Sequence, residues 1–86
     1  MPGASRQGDD SAGGTIIEGS DDVIINGKGA VTIGDTVESH GDSPHDAATM
    51  VEGSDDVIVN GKGLVRAGDN ATCGDPATGS DDVNVN

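Results

Sequence analysis

Residues 19–29 read Gly-Ser-Asp-Asp-Val-Ile-Ile-Asn-Gly-Lys-Gly, and residues 53–63 repeat them with one change, Val for Ile at position 59. A third copy runs from residue 79 to residue 86 as Gly-Ser-Asp-Asp-Val-Asn-Val-Asn. In the two longer copies an Asn-Gly pair follows a short apolar segment. Such a pair is the strongest short-range signal for a β-hairpin, because a two-residue I′ turn needs positive φ at both positions. Each unit is therefore predicted to form a strand, a turn and a second strand.

A second block follows each unit. Residues 29–35 (Gly-Ala-Val-Thr-Ile-Gly-Asp) match residues 63–69 (Gly-Leu-Val-Arg-Ala-Gly-Asp), and residues 3–9 (Gly-Ala-Ser-Arg-Gln-Gly-Asp) supply a third version. The third hairpin is thus split between residues 82–86 and residues 3–7. This arrangement predicts a ring of three similar hairpins with approximate three-fold symmetry, closed between the N- and C-termini, which should lie side by side.

The composition limits both the fold and the partners. The chain has 86 residues, enough for one domain over residues 1–86, with no aromatic residue and 15 glycines. Its apolar residues are mainly Val and Ile, which favour strands, so an all-β fold is expected. Sixteen acidic and four basic side chains give a net charge of −12, which should repel nucleic acid and anionic membranes. No apolar stretch is long enough to span a membrane, and no signal peptide is recognisable.

The repeated pattern resembles the PAAR-repeat proteins, which are named for a Pro-Ala-Ala-Arg block. Here the block reads Gly-Ala-Ser-Arg (3–6), Gly-Ala-Val-Thr (29–32) and Gly-Leu-Val-Arg (63–66), so Gly replaces Pro throughout and Arg is lost once. The resemblance extends over nearly the whole chain. It implies a small cone of β-hairpins, monomeric on its own and not an enzyme, that caps the blunt end of a trimeric β-helical spike.

The same resemblance indicates the setting. The spike would be VgrG-like or the central spike of a contractile phage tail baseplate, with one copy of this chain per trimer, sharpening it for membrane piercing. The protein would then sit at a virion tail tip, or in the cytoplasm until it is exported by a type VI secretion system. Because three similar units in a ring offer nearly equivalent contacts to three subunits, the predicted symmetry agrees with such a partner.

Three side chains are candidate metal ligands. Three connectors join the repeated units: residues 8–19, 34–53 and 68–79. The middle connector is eight residues longer than the other two and contains His40 and His45, while the third connector contains Cys73. These are the only His and Cys residues, and their N and S atoms suit a structural zinc ion, with iron as a second possibility. The resemblance implies such a metal near the apex of the cone. The connector alignment puts Gly13 opposite Cys73, so three protein ligands are expected; the fourth could be water or one of Asp42, Asp46 and Asp75.

The sequence is also compatible with two other functions. The Gly/Asp-rich composition is also typical of a calcium-binding β-roll, although those repeats recur every nine residues in tandem. A surface interaction module without any spike is the other alternative. Strand alternation places Ile24 and Ile58 on the same face as Asn84, pointing outward, and exposed isoleucines on a small acidic protein indicate a docking face. The Asp pairs that precede each strand are expected to set the local turns.

Overall fold

The computed structural model describes residues 2–43 and 45–85. Within them the named strands are all two residues long and pair as three antiparallel two-stranded sheets. They are β1 (Ser11–Ala12) with β2 (Gly14–Thr15), β3 (Ile24–Ile25) with β4 (Lys28–Gly29), and β5 (Ile58–Val59) with β6 (Lys62–Gly63). The all-β prediction is confirmed. The antiparallel pairing excludes a β-roll, whose strands are parallel.

The two Asn-Gly turns have the predicted geometry. Asn26 and Asn60 have φ of 53° and 51°, and the glycines after them have φ of 83° and 82°. Positive φ at both central residues defines a I′ turn, which matches the twist of the flanking strands. The asparagines also join neighbouring copies, because Nδ2 of Asn26 lies 3.3 Å from the hydroxyl of Ser80.

The third hairpin closes between the two ends of the chain, as predicted. Gly3 pairs with Asn84 in the register in which Gly29 pairs with Ile24. The amide of Val85 donates to the carbonyl oxygen of Pro2 at 2.9 Å. Residue 86, which the sequence also assigned to this hairpin, lies outside the described residues.

A ring of backbone hydrogen bonds encircles the centre of the molecule. Ser5 donates to Val65, Val65 to Val31, and Val31 back to Ser5, at 3.0, 2.8 and 3.2 Å. All three residues are completely buried. Each copy donates one bond of the ring and accepts another, as approximate three-fold symmetry requires. The overall dimensions of 32 × 23 × 23 Å, with two equal short axes, agree with this symmetry.

Two apolar clusters fill the interior. The hairpin cluster joins the three hairpins and consists of Ala4, Ile25, Ala30, Val59 and Leu64. The connector cluster joins residues of the three connectors to two valines of the central ring and consists of Ala12, Ile16, Val31, Val37, Ala48, Met50, Val65, Ala71 and Ala77. Most of these side chains are Ala or Val, which are small enough for the three copies to pack closely around the central axis. No helix in the described part of the chain is long and apolar enough to cross a bilayer.

The structure corrects two details of the repeat. In each copy the hydroxyl of the serine, and not an Asp carboxylate, accepts the turn hydrogen bonds: Ser20 accepts from the amides of Asp22 and Val23, both at 3.0 Å. The Gly-Asp block that begins at residue 3 is also out of register by one residue. The buried Asp10 accepts from the amide of Arg6 at 2.7 Å, as Asp69 does from Arg66 at 2.9 Å. The sequence had matched Asp9, which is exposed, to this position.

Candidate metal centre

The middle connector presents the two histidines from one tight loop. The amide of His40 donates to the carbonyl oxygen of His45 at 3.0 Å, and the amide of His45 donates to that of Asp42 at 2.8 Å. These bonds hold the two rings side by side, with centroids 4.9 Å apart. The side chain of His40 is 14% exposed and that of His45 is 36% exposed. The lengthened connector therefore forms a hydrogen-bonded loop that positions both imidazole rings.

The third connector presents Cys73 and Asp75 from a short turn. The amide of Gly74 donates to the carbonyl oxygen of Ala71, and that of Ala71 donates to the carbonyl oxygen of Asp75, at 2.9 and 3.0 Å. Gly74 has φ of 89°, which a residue with a side chain rarely adopts. Cys73 packs against the connector cluster, so the base of the site is fixed to the protein interior.

The four side chains bring one donor atom each to a common point. Nε2 of His40, Nδ1 of His45, Sγ of Cys73 and a carboxylate oxygen of Asp75 all lie within 4.8 Å of one another. The individual separations given by the structure run from 2.9 to 3.6 Å. Zinc bond lengths of about 2.0–2.3 Å in tetrahedral geometry separate neighbouring donors by about 3.3–3.6 Å. The four donors therefore lie close enough together for a single metal ion to contact all of them.

The tautomer of His40 suits coordination through Nε2. Its Nδ1 lies 2.8 Å from the carbonyl oxygen of Glu38. Because a carbonyl oxygen only accepts, Nδ1 must carry the hydrogen and donate it, which leaves the lone pair of a neutral ring on Nε2. Metal-ligating histidines usually have such a partner on their other nitrogen.

The electrostatics of the four side chains are coupled. The hydrogen bond to the Glu38 carbonyl raises the pKa of His40, and Asp75 raises it further. Hydrogen bonds from His40 and Cys73 lower the pKa of Asp75. In the absence of an ion, a protonated His40 and an ionised Asp75 therefore stabilise each other, with 2.9 Å between Nε2 and Oδ2.

Gly13 of the first connector lies directly against the cluster. Its φ is 86°, and a Cβ built on it would lie 2.6 Å from Nε2 of His40 and even closer to the carboxylate of Asp75. From the sequence, this connector was expected to supply no ligand at position 13. The close approach of its backbone to the cluster was not predictable from the sequence.

The structure thus brings His40, His45 and Cys73 together, as the sequence predicted, and adds Asp75 to them. Asp75 was one of the acidic candidates for the fourth position, but the sequence alone gave no reason to prefer it. The only available signal was its position two residues after Cys73 with a glycine between them.

Comparison with known proteins gave one family match. A family model described as the PAAR motif matches residues 7–84. No curated protein matches the chain.

Proposed function

Because the chain belongs to the PAAR family, we propose that it caps the end of a trimeric β-helical spike, one copy per trimer, and sharpens it for membrane piercing. Proteins with this motif are associated with spike tips of type VI secretion and contractile systems. The main observation that supports the proposal is the closed ring of backbone hydrogen bonds through Ser5, Val31 and Val65. It makes one chain an approximate three-fold object, which can contact three identical subunits in nearly the same way.

The exposed face of the hairpins supports the docking role. Ile24 and Ile58 are each 54% exposed, whereas the residues that follow them, Ile25 and Val59, are 8% and 6% exposed. The outward orientation predicted from strand alternation is therefore confirmed. Isoleucines at equivalent positions of two hairpins form an apolar surface that a partner would bury.

The metal centre would stabilise the connectors. We propose that His40, His45 and Cys73 bind a structural zinc ion, with iron as the alternative. Zinc, the metal that the family resemblance implies, matches these donors, since imidazole nitrogen and thiolate sulfur both bind zinc. The middle and third connectors are otherwise linked by short backbone pairings, such as Met50 with Ala71. An ion would tie them together, and its binding free energy would add to folding stability.

Two experiments test the proposal. Co-expression with a trimeric spike protein of the same source should give a complex whose native mass corresponds to one chain per trimer. Failure to form a complex, or a complex with three chains per trimer, would contradict the docking role. Metal analysis of protein purified without chelators should find close to one zinc or iron ion per chain, and metal-free protein would contradict the metal centre.

A further inference from the structure

We propose that Asp75 is the fourth ligand of the metal centre and that position 13 is occupied by glycine so that this carboxylate fits. This inference rests on the metal centre described under Proposed function. It adds which acidic residue completes the site and why the first connector supplies no ligand.

Asp75 is distinguished from the other acidic candidates by its contacts. Its Oδ2 lies 2.9 Å from Nε2 of His40, 3.3 Å from Nδ1 of His45 and 3.4 Å from Sγ of Cys73. It therefore contacts every other donor of the cluster. Asp42 and Asp46 belong to the histidine loop but are exposed, and the four-residue group of possible ligands includes neither of them.

Gly13 and Asp75 compete for the same space. The Cβ of any other residue at position 13 would overlap the Asp75 carboxylate and lie 2.6 Å from Nε2 of His40. Real Cβ atoms do not come this close to a neighbouring heavy atom, so either the carboxylate or the backbone would have to move. The positive φ of 86° at Gly13 adds to the cost, because residues with side chains are strained there.

The first connector contributes to the site as a cover. At the next position, Gly14, a Cβ would lie 2.9 Å from Nδ1 of His40. The backbone of these two glycines thus lies against both the ring of His40 and the carboxylate of Asp75. We attribute the low exposure of His40, at 14%, to this close approach.

The charge of the donor set is consistent with the assignment. A thiolate and a carboxylate each carry one negative charge, and two neutral imidazoles carry none, so the four ligands balance a divalent cation. A balanced set reduces the cost of holding the ion in a partly buried position. The combination of nitrogen, sulfur and oxygen donors suits zinc and the neighbouring divalent transition metals.

The test measures affinity for zinc alone, by competition with a chromophoric chelator, in the full-length protein. Asp75→Ala and the isosteric Asp75→Asn are each expected to weaken zinc binding by about tenfold or more, the scale of effect found for residues that support a metal site. The matched controls Asp42→Asn and Asp46→Asn remove the same charge from the histidine loop and should bind zinc like the unchanged protein. Circular dichroism of each variant verifies that it is folded, and Asp75→Asn preserves the shape of the side chain in case Asp75→Ala does not fold.

A second measurement reports on coordination directly. Cobalt(II) bound to the unchanged protein should give the intense visible bands of a four-coordinate site with one thiolate. These bands should shift in both Asp75 variants and stay unchanged in the two controls. Unchanged bands in the Asp75 variants would overturn the inference.

The competition between positions 13 and 75 has its own test. Gly13→Ala should weaken zinc binding strongly in the otherwise unchanged protein and less in the Asp75→Ala variant, because the carboxylate that the new Cβ would overlap is then absent. Equal weakening in both backgrounds would count against the competition. If the unchanged protein binds neither zinc nor cobalt, the metal centre itself is wrong. If it binds them and the Asp75 variants bind equally well, only this inference is overturned.

Discussion

The backbone amide of Ala4 donates a hydrogen bond to the carbonyl oxygen of Val83 at 2.8 Å. The corresponding amides of Ala30 and Leu64 donate to Val23 and Val57 at 2.9 and 3.0 Å. The bond that joins the two ends of the chain is thus equivalent to bonds inside the two continuous hairpins. Residues 2–4 and residues 83–85 therefore form a pairing of the same kind as the two continuous hairpins.

The position of the chain ends should therefore be interchangeable among the three hairpins. By the register of Gly3 with Asn84, Asn86 and Met1 correspond in sequence to Asn26 and Gly27. We expect a circular permutant with Met1→Gly, joined from residue 86 to residue 1 and opened between Asn26 and Gly27, to fold with a melting temperature within about 5 °C of the original.

A second permutant provides the control. Opening the same joined chain between Val31 and Thr32 interrupts the buried central ring, so this version should fail to fold. The measurements are thermal unfolding by circular dichroism and the radius of gyration by small-angle scattering. An unfolded first permutant would contradict the equivalence of the three hairpins.

The Asn-Gly turns should tolerate glycine better than alanine. Asn26 has φ of 53°, and an alanine in this left-handed conformation costs about 1–2 kcal/mol. Asn26→Ala should therefore lower the free energy of unfolding by about that amount. Asn26→Gly keeps the conformation and loses only the long 3.3 Å contact to Ser80, so its effect should be smaller.

Urea denaturation of the two Asn26 variants makes the comparison. Equal destabilisation by alanine and glycine would mean that the side-chain contact, and not the backbone conformation, decides the stability of this turn.

Docking to the spike should depend on the exposed isoleucines of the hairpins. Ile24→Asp together with Ile58→Asp places two charges on the proposed apolar surface, and burying unpaired charges is costly. We expect co-purification with the trimeric spike to be lost while the isolated protein remains folded, because both side chains are 54% exposed.

Ile17→Asp together with Val51→Asp is the matched control. These two side chains are 46% and 48% exposed, but they belong to the connectors and not to the hairpins. The control variant should still bind the spike. Retention of binding by the hairpin variant, or equal loss by both, would contradict the assignment of the docking face.

The stabilisation by zinc should increase with pH. In the metal-free protein the raised pKa of His40 gives a contribution to stability that is full below the ordinary histidine value of about 6.5 and is lost as the pH rises through the folded-state pKa. The lowered pKa of Asp75 gives a contribution that is present above the ordinary value of about 3.9 and is lost as the pH falls. The pair therefore stabilises the metal-free protein most between about pH 4 and 6.5.

Zinc has the opposite requirement, because it binds deprotonated His and Cys side chains. The difference in melting temperature between zinc-loaded and chelator-treated protein should be small at about pH 5 and large at about pH 8. A difference that does not change with pH would contradict the involvement of His40.

Much of the fold could be predicted from local chemistry. The repeated Asn-Gly pairs specify turns through a backbone conformation that few other residues adopt, and the alternation around Ile24 and Ile58 specifies which side chains face outward. The splitting of the third hairpin also followed from the sequence, because the missing half of the third copy is present at the other end of the chain. These signals act over a few residues or come from direct comparison of the copies.

The candidate site was predictable only in part. His40, His45 and Cys73 were identifiable because no other residue in the chain offers nitrogen or sulfur ligands of this kind. Asp75 was one of 16 acidic residues, and its nearness to Cys73 gave it no preference over Asp42 and Asp46, which lie equally near the histidines in sequence. The register of Asp10 was missed for a related reason: two adjacent aspartates, at positions 9 and 10, fit the same motif, and only burial distinguishes them.

The sequence by itself determined the number of units, the turn types and the place where the ring closes, because each depends on the backbone preferences of residues that are neighbours in the chain or copies of one another. The tertiary structure decided which of several chemically equal carboxylates make these contacts. Asp75 contacts the histidines, and Asp10 contacts Arg6, because packing of three connectors of unequal length sets distances that local sequence does not encode. The same packing brings Gly13 against Asp75, where the absence of a side chain leaves room for the carboxylate.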